Sequence, residues 1–140
     1  MPEAVPMLFR PLLGNNDRMK FSRESGSAIT IRQVERGRIR VGEETITEPV
    51  VLFRETVRRG VVAGDFSQLT IDNIADLVAE SPEIIIVGAG WQPGLPPREL
   101  VFALARKGIG FELMDTPAAC RTFNILVSEG RDAALVLSPG

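Results

Sequence analysis

The side chains of this sequence best suited to chemistry gather near its C-terminus, where Thr116, Cys120, Arg121 and Asn124 fall within one short stretch. A cysteine in the opening turns of a helix, next to a guanidinium, has two neighbours that favour its thiolate: the partially positive helix end and the cation. Arg121 and Asn124 project from the other side of that helix, where they suit a carboxylate, a phosphate or a backbone segment. Asn124 suits equally well a structural bond to a neighbouring loop. Cys120 shares helical spacing with Ala119, Phe123 and Val127, an apolar face, and the sequence holds no histidine to act as its base. Inert packing is the expected role of this thiol.

A second suggestive stretch is Gly88-Ala89-Gly90-Trp91-Gln92-Pro93-Gly94, which follows an apolar run and precedes a helical pattern. Its spacing is G-x-G-x-x-x-G rather than the dinucleotide-binding G-x-G-x-x-G, and Pro93, Pro96 and Pro97 remove amide donors that would cradle a phosphate. A tight turn that permits close packing is the preferred reading. Asp72, Asp76 and Glu80 lie four residues apart and could hold a hard cation, although a solvated helix face accounts for them more simply. Arg32, Arg36, Arg38, Arg40, Arg54, Arg58 and Arg59 are interleaved with Glu35, Glu43, Glu44 and Glu55, the composition of a mixed solvated surface rather than a nucleic-acid platform.

Composition narrows the chemistry further. The chain has 140 residues with 44% hydrophobic and 24% charged, the averages of a globular domain long enough to bury a core without metal or disulfide. Histidine is absent, which disfavours zinc and Ser-His chemistry within the chain, and Cys120 is the only cysteine, so no intrachain disulfide can form. No cofactor or metal is expected, and a reducing cytoplasm is the expected compartment. The net charge of -2 argues against nucleic acid as the partner. Met1–Leu13 carries Glu3 and three prolines, unlike a signal peptide, and no segment approaches the ~20 apolar residues of a membrane span.

The elements that position these residues follow from periodicity. Residues 1–20, with Pro2, Pro6, Pro11 and Asn15-Asn16, read as a loose arm, and 21–140 as a single domain. Alternation at Ile29 and Ile31, then at Ile39 and Val41 beyond a turn at Gly37, predicts strands; Val50–Phe53 and Val61–Ala63 add two more in an N-terminal antiparallel meander. Leu69–Glu80 reads as a helix capped by Thr70, with Ile71, Ile74, Ala75 and Val78 on its buried face. Ile84–Val87 is a continuous apolar run broken by Gly88-Ala89-Gly90, the signature of a doubly buried strand. Pro96-Pro97 opens a helix bearing Leu100, Val101 and Leu104, Ile109–Met114 is a strand, Thr116-Pro117 caps a further helix, and Ala133–Leu137 is the last strand. This C-terminal parallel β-α-β-α-β unit, with right-handed crossovers, sets Gly88, Gly90, Thr116, Cys120, Arg121 and Asn124 around the carboxyl ends of its strands. Ligands of α/β sheets tend to bind at such an edge.

The segment from Asp115 to Leu126 (DTPAACRTFNIL), with Glu129-Gly130-Arg131, Ile84–Gly90 and Lys107–Glu112, resembles the domain-of-unknown-function family that includes the mitochondrial respiratory complex I (NADH:ubiquinone oxidoreductase) assembly factor 3. The resemblance covers residues 84–137. It implies a three-layer α/β domain with a mixed sheet and offers no catalytic residues to carry over. Ala89 stands where many relatives have Thr. Without an Arg-rich presequence the chain looks like a bacterial member. The resemblance implies a non-enzymatic interaction or complex-assembly accessory domain acting through protein partners, with self-association left open. The alternative is a small-molecule or anion-binding enzyme using the carboxyl edge of the parallel strands.

Overall fold

Two kinds of apolar pattern divide the strands between two sheets in the computed structural model of the chain, which describes residues 30–60 and 65–140. Alternating residues form the smaller sheet, in which β1 (Ile31–Glu35), β2 (Arg38–Val41) and β3 (Glu44–Ile46) pair antiparallel in that order. Ile31, Ile39, Val41 and Ile46 are buried while the charged residues between them are exposed, so this sheet has one apolar face to cover. The larger sheet contains β4 (Val50–Phe53), β5 (Thr56–Arg59), β6 (Ile84–Ala89), β7 (Gly110–Met114) and β8 (Ala133–Ser138), in the order β5-β4-β8-β6-β7. β4 runs antiparallel to β5 and β8, and β6 runs parallel to β7 and β8, so the sheet is mixed.

The inner strands alternate their side chains between two cores. Val51, Phe53, Ile85, Val87, Ala134 and Val136 point to one face, where they meet α1 (Ala75–Ala79) and α2 (Arg98–Arg106) through Leu77, Leu100 and Leu104. Val50, Leu52, Ile86, Leu135 and Leu137 point to the other, where they meet α3 (Thr116–Ser128) and the apolar face of the small sheet. Three layers result. The step from β6 to β7 runs outward and the step from β7 back past β6 to β8 runs the opposite way, so crossovers of one hand place α2 and α3 on opposite faces.

The antiparallel meander expected of the N-terminal half is thus split between the two sheets. Val50–Phe53 is buried at every position, which only an inner strand of a covered sheet allows. It pairs with β5, a strand the sequence patterns did not reveal. Its turn is made by Arg54 and Glu55, both at positive φ (50° and 64°), where glycine or asparagine usually signals a hairpin. Arg54 is held by stacking on Phe53, 4.5 Å from the ring centroid, and by hydrogen bonds to Asp132 and to the carbonyl of Glu80. The expected strand at Val61–Ala63 and the arm over residues 1–20 lie outside the described residues.

The helix expected over Leu69–Glu80 is a 3-10 turn at Ile71–Ile74 leading into α1. Thr70 is its cap, in a reciprocal box with Asn73. The tighter winding places Ile71, Ile74 and Leu77 three apart on the inner face and leaves Ala75 exposed, contrary to the helical spacing.

Candidate functional site

β6, β7 and β8 end together, and their carboxyl ends are joined by one side chain. Thr116 is fully buried; its hydroxyl accepts from the Gly90 N–H at 2.9 Å and donates to the Ser138 carbonyl at 2.6 Å, while its own N–H donates to the Gly90 carbonyl at 2.8 Å. Three chain segments are therefore tied at one residue. Thr116 is free to do this because it is not the helix cap. Asp115 takes that role, its carboxylate accepting from the Ala118 N–H at 2.8 Å, with Thr116 and Pro117 as the first helical residues. The expected Thr116-Pro117 cap is corrected by one position: Asp and Thr both cap well, and nothing local to the sequence reserves the threonine hydroxyl for a distant partner.

Gly88 and Gly90 act differently from one another. β6 continues through Gly88 to Ala89 instead of breaking there, and Gly88 lies under α3, where a Cβ would stand 2.9 Å from Ala119 Cβ. Gly90 turns the chain with φ of 84°. Its amide, the donor a phosphate would need, is already given to Thr116.

Cys120 is buried against the inner core, and burial pushes its thiol from an ordinary value of 9.0 up to about 12, with Arg121 pulling weakly the other way. Native protein is therefore expected to react with a thiol reagent far more slowly than unfolded protein, measured by labelling with and without denaturant. The same burial predicts a pH effect. Because the folded pKa is raised, stability is intact below pH 9 and falls as pH climbs from about 9 toward about 12, and Cys120→Ala should flatten that part of the curve. Native labelling at the rate of an exposed thiol would refute both.

Asn124 clamps β1: its Oδ1 accepts from the Ile31 N–H at 3.0 Å and its Nδ2 donates to the Ile31 carbonyl at 2.9 Å. Arg121 is exposed. The structure thus brings Gly88, Gly90 and Thr116 together, sets Cys120 in the core and leaves Arg121 exposed, whereas Asn124, four residues on from Cys120, lies on the same side of α3 and faces β1 rather than projecting from the opposite side as expected. Beside the edge is a groove of about 490 Å3 that sequence reasoning missed, lined by Arg36, Trp91, Gln92 and Ser138, with the Arg36 guanidinium 5.5 Å from the Trp91 ring centroid. These residues are 55 positions apart, and no local pattern joins them.

The other candidates are spread over the surface. Glu80 is engaged by Arg58 through both carboxylate oxygens and approached by Arg54; Arg58 holds its carboxyl below the usual range. Arg38 pairs with Glu35, Arg54 with Asp132, and Arg59 with Glu44 and Glu48. Among the described residues no cluster of His, Cys, Asp or Glu is arranged to hold a metal, and no helix is long and apolar enough to cross a membrane.

Fold and edge together define a three-layer α/β domain with a mixed central sheet whose strand ends are closed by the protein's own hydrogen bonds. The chain belongs to the family described as Protein of unknown function (DUF498/DUF598), whose model matches residues 31–138. It is similar to the human NADH dehydrogenase (ubiquinone) 1 alpha subcomplex assembly factor 3, at 31% identity over 122 residues covering 84% of this chain and 66% of that protein. It is similar also to the 13 kDa major membrane protein of Francisella tularensis, at 32% identity over 73 residues covering 52% of this chain and 59% of that protein. The chain thus spans about three-fifths to two-thirds of the length of these curated relatives. A crystal structure of a Bordetella parapertussis protein superposes with a TM-score of 0.72 at 29% identity, covering 79% of this chain and 95% of that one.

Proposed function

We propose that the chain is a non-enzymatic interaction domain that serves as an accessory in assembling a larger protein complex. The observation that carries this reading is the closed carboxyl edge: the Gly90 amide donates to the Thr116 hydroxyl, which in turn donates to the Ser138 carbonyl, so the groups that would meet a substrate are spent on the fold. Cys120, with its raised pKa, offers no nucleophile. The relatives named as assembly factors support the same role for this chain, with subunits of a respiratory NADH dehydrogenase as the partner class. We place its action in the reducing cytoplasm of a bacterium. The engagement of Arg38, Arg54, Arg58 and Arg59 by carboxylates supports protein rather than nucleic acid as the partner.

The groove beside Arg36 and Trp91 is where the alternative, a small anionic ligand and an enzymatic use, would fall. Two measurements separate the readings. Purified protein is screened against metabolites by thermal shift, and tagged protein is recovered from its native host with its partners quantified. The expected outcome is no stabilising metabolite and stoichiometric recovery of subunits of one multi-subunit complex. A metabolite that raises the melting temperature and is chemically converted by the protein overturns the proposal.

A further inference from the structure

We infer that the outer face of α3 is a two-fold self-association surface whose partner is a second copy of this chain. Arg121, Ile125 and Glu129 form one row along that face, since positions four apart stay on the same side of a helix. Ile125 is 56% exposed, one of three large hydrophobic side chains left in water among the described residues. Arg121 and Glu129 are exposed, and neither makes an ion pair with another described residue. Glu129 is moreover the C-cap of α3, where the helix end is itself partially negative, so its carboxylate gains nothing from its own helix.

The row is complementary to itself. Rotation about a two-fold axis beside Ile125 sets Arg121 of one copy opposite Glu129 of the other, twice, with the two Ile125 side chains in contact between them. Each charge stands about 6 Å along the helix from the isoleucine, within reach of a guanidinium–carboxylate contact. The antiparallel arrangement also brings the positive end of each helix beside the negative end of the other. A parallel arrangement would oppose like charges, and a uniformly acidic or basic partner would be repelled at one end of the row, whereas a second copy satisfies both ends. Such a contact is isologous, and rows at four-residue spacing interlock with their own kind. One helix row buries less than the ~1,200 Å2 of the smaller stable interfaces, so the dimer forms at high chain concentration.

The test is sedimentation equilibrium of the full chain from roughly 10 μM to 1 mM. The wild type is expected to dimerise reversibly and less at high salt. Arg121→Glu and Glu129→Arg should each weaken association about tenfold or more, and the double exchange should restore it to within about threefold. Circular dichroism and melting curves verify that the variants, all at exposed positions, remain folded. A wild type that stays monomeric, an association unmoved by the single exchanges, or a double exchange no better than the singles overturns the inference. It stands apart from the accessory role. A monomeric chain that still recovers complex subunits defeats the dimer alone, and a dimer that converts a metabolite defeats the accessory role alone.

Discussion

Replacing Gly88 by Val is expected to destabilise the protein by at least about 3 kcal/mol, a large share of the ~5–15 kcal/mol of an ordinary domain. Even one added carbon at this position would meet Ala119 Cβ at 2.9 Å and Leu137 Cδ1 at 3.0 Å, with the Thr116 Cα at 3.5 Å. The leucine methyl can swing aside. The alanine Cβ cannot, because it is bonded directly to the α3 backbone, so the helix itself must move off the sheet. That movement draws Thr116 from Gly90 and Asn124 from Ile31, spreading the loss beyond the clash. Gly88→Ala is the milder probe. It gains several tenths of a kcal/mol from a stiffer unfolded chain and loses ~1–3 kcal/mol to overpacking. Because the contact is pairwise, Ala119→Gly should offset part of the Gly88→Ala loss, leaving a coupling energy of about 1 kcal/mol in a double-mutant cycle read by urea denaturation. Strict additivity of the two substitutions would show that the helix does not rest on this glycine.

Thr116→Val should cost about 2–4 kcal/mol while Thr116→Ser costs about 1 kcal/mol, an unusual ranking for two changes of similar size. Valine nearly preserves the threonine shape and removes only the hydroxyl. The Gly90 N–H and the Ser138 carbonyl then lose their partner, and the buried amide bears the larger penalty, since an unpaired donor costs more than a typical bond contributes. Serine keeps both bonds and forfeits a methyl group. Amide exchange gives a local check: the Gly90 N–H should exchange faster in the valine variant at matched global stability and remain protected in the serine variant. Equal destabilisation by the two substitutions would mean that Thr116 contributes packing alone, and the closed carboxyl edge would lose its support.

Much of this architecture was legible in the sequence wherever one pattern admitted one solution. Ile84–Val87 is apolar at four consecutive positions and needs cover on both faces; it forms β6, an inner strand between β8 and β7. Helices after Pro96-Pro97 and around Cys120 ended near Gly108 and Gly130, both at positive φ. The apolar spacing of Ala119, Cys120 and Phe123 is enough to place the cysteine in the core, where all three are buried. These are local consequences of periodicity and backbone freedom, and they survive folding unchanged.

What tertiary structure alone decided is which distant groups share a bond or a sheet. Val50–Phe53 has the same continuous apolar signature as β6, yet its antiparallel partner β8 lies more than eighty residues on, and nothing local distinguishes that pairing from a meander with its neighbours. The hairpin to β5 was hidden because Arg54 and Glu55 take positive φ with the support of Phe53 and Asp132 rather than by intrinsic preference. Thr116 and Asn124 read as candidate ligand-binding side chains because a hydroxyl or an amide declares only what it can donate and accept. Which partner takes it depends on whether Gly90, Ser138 or Ile31 arrives at hydrogen-bonding distance, and that is settled by the packing of α3 against both sheets.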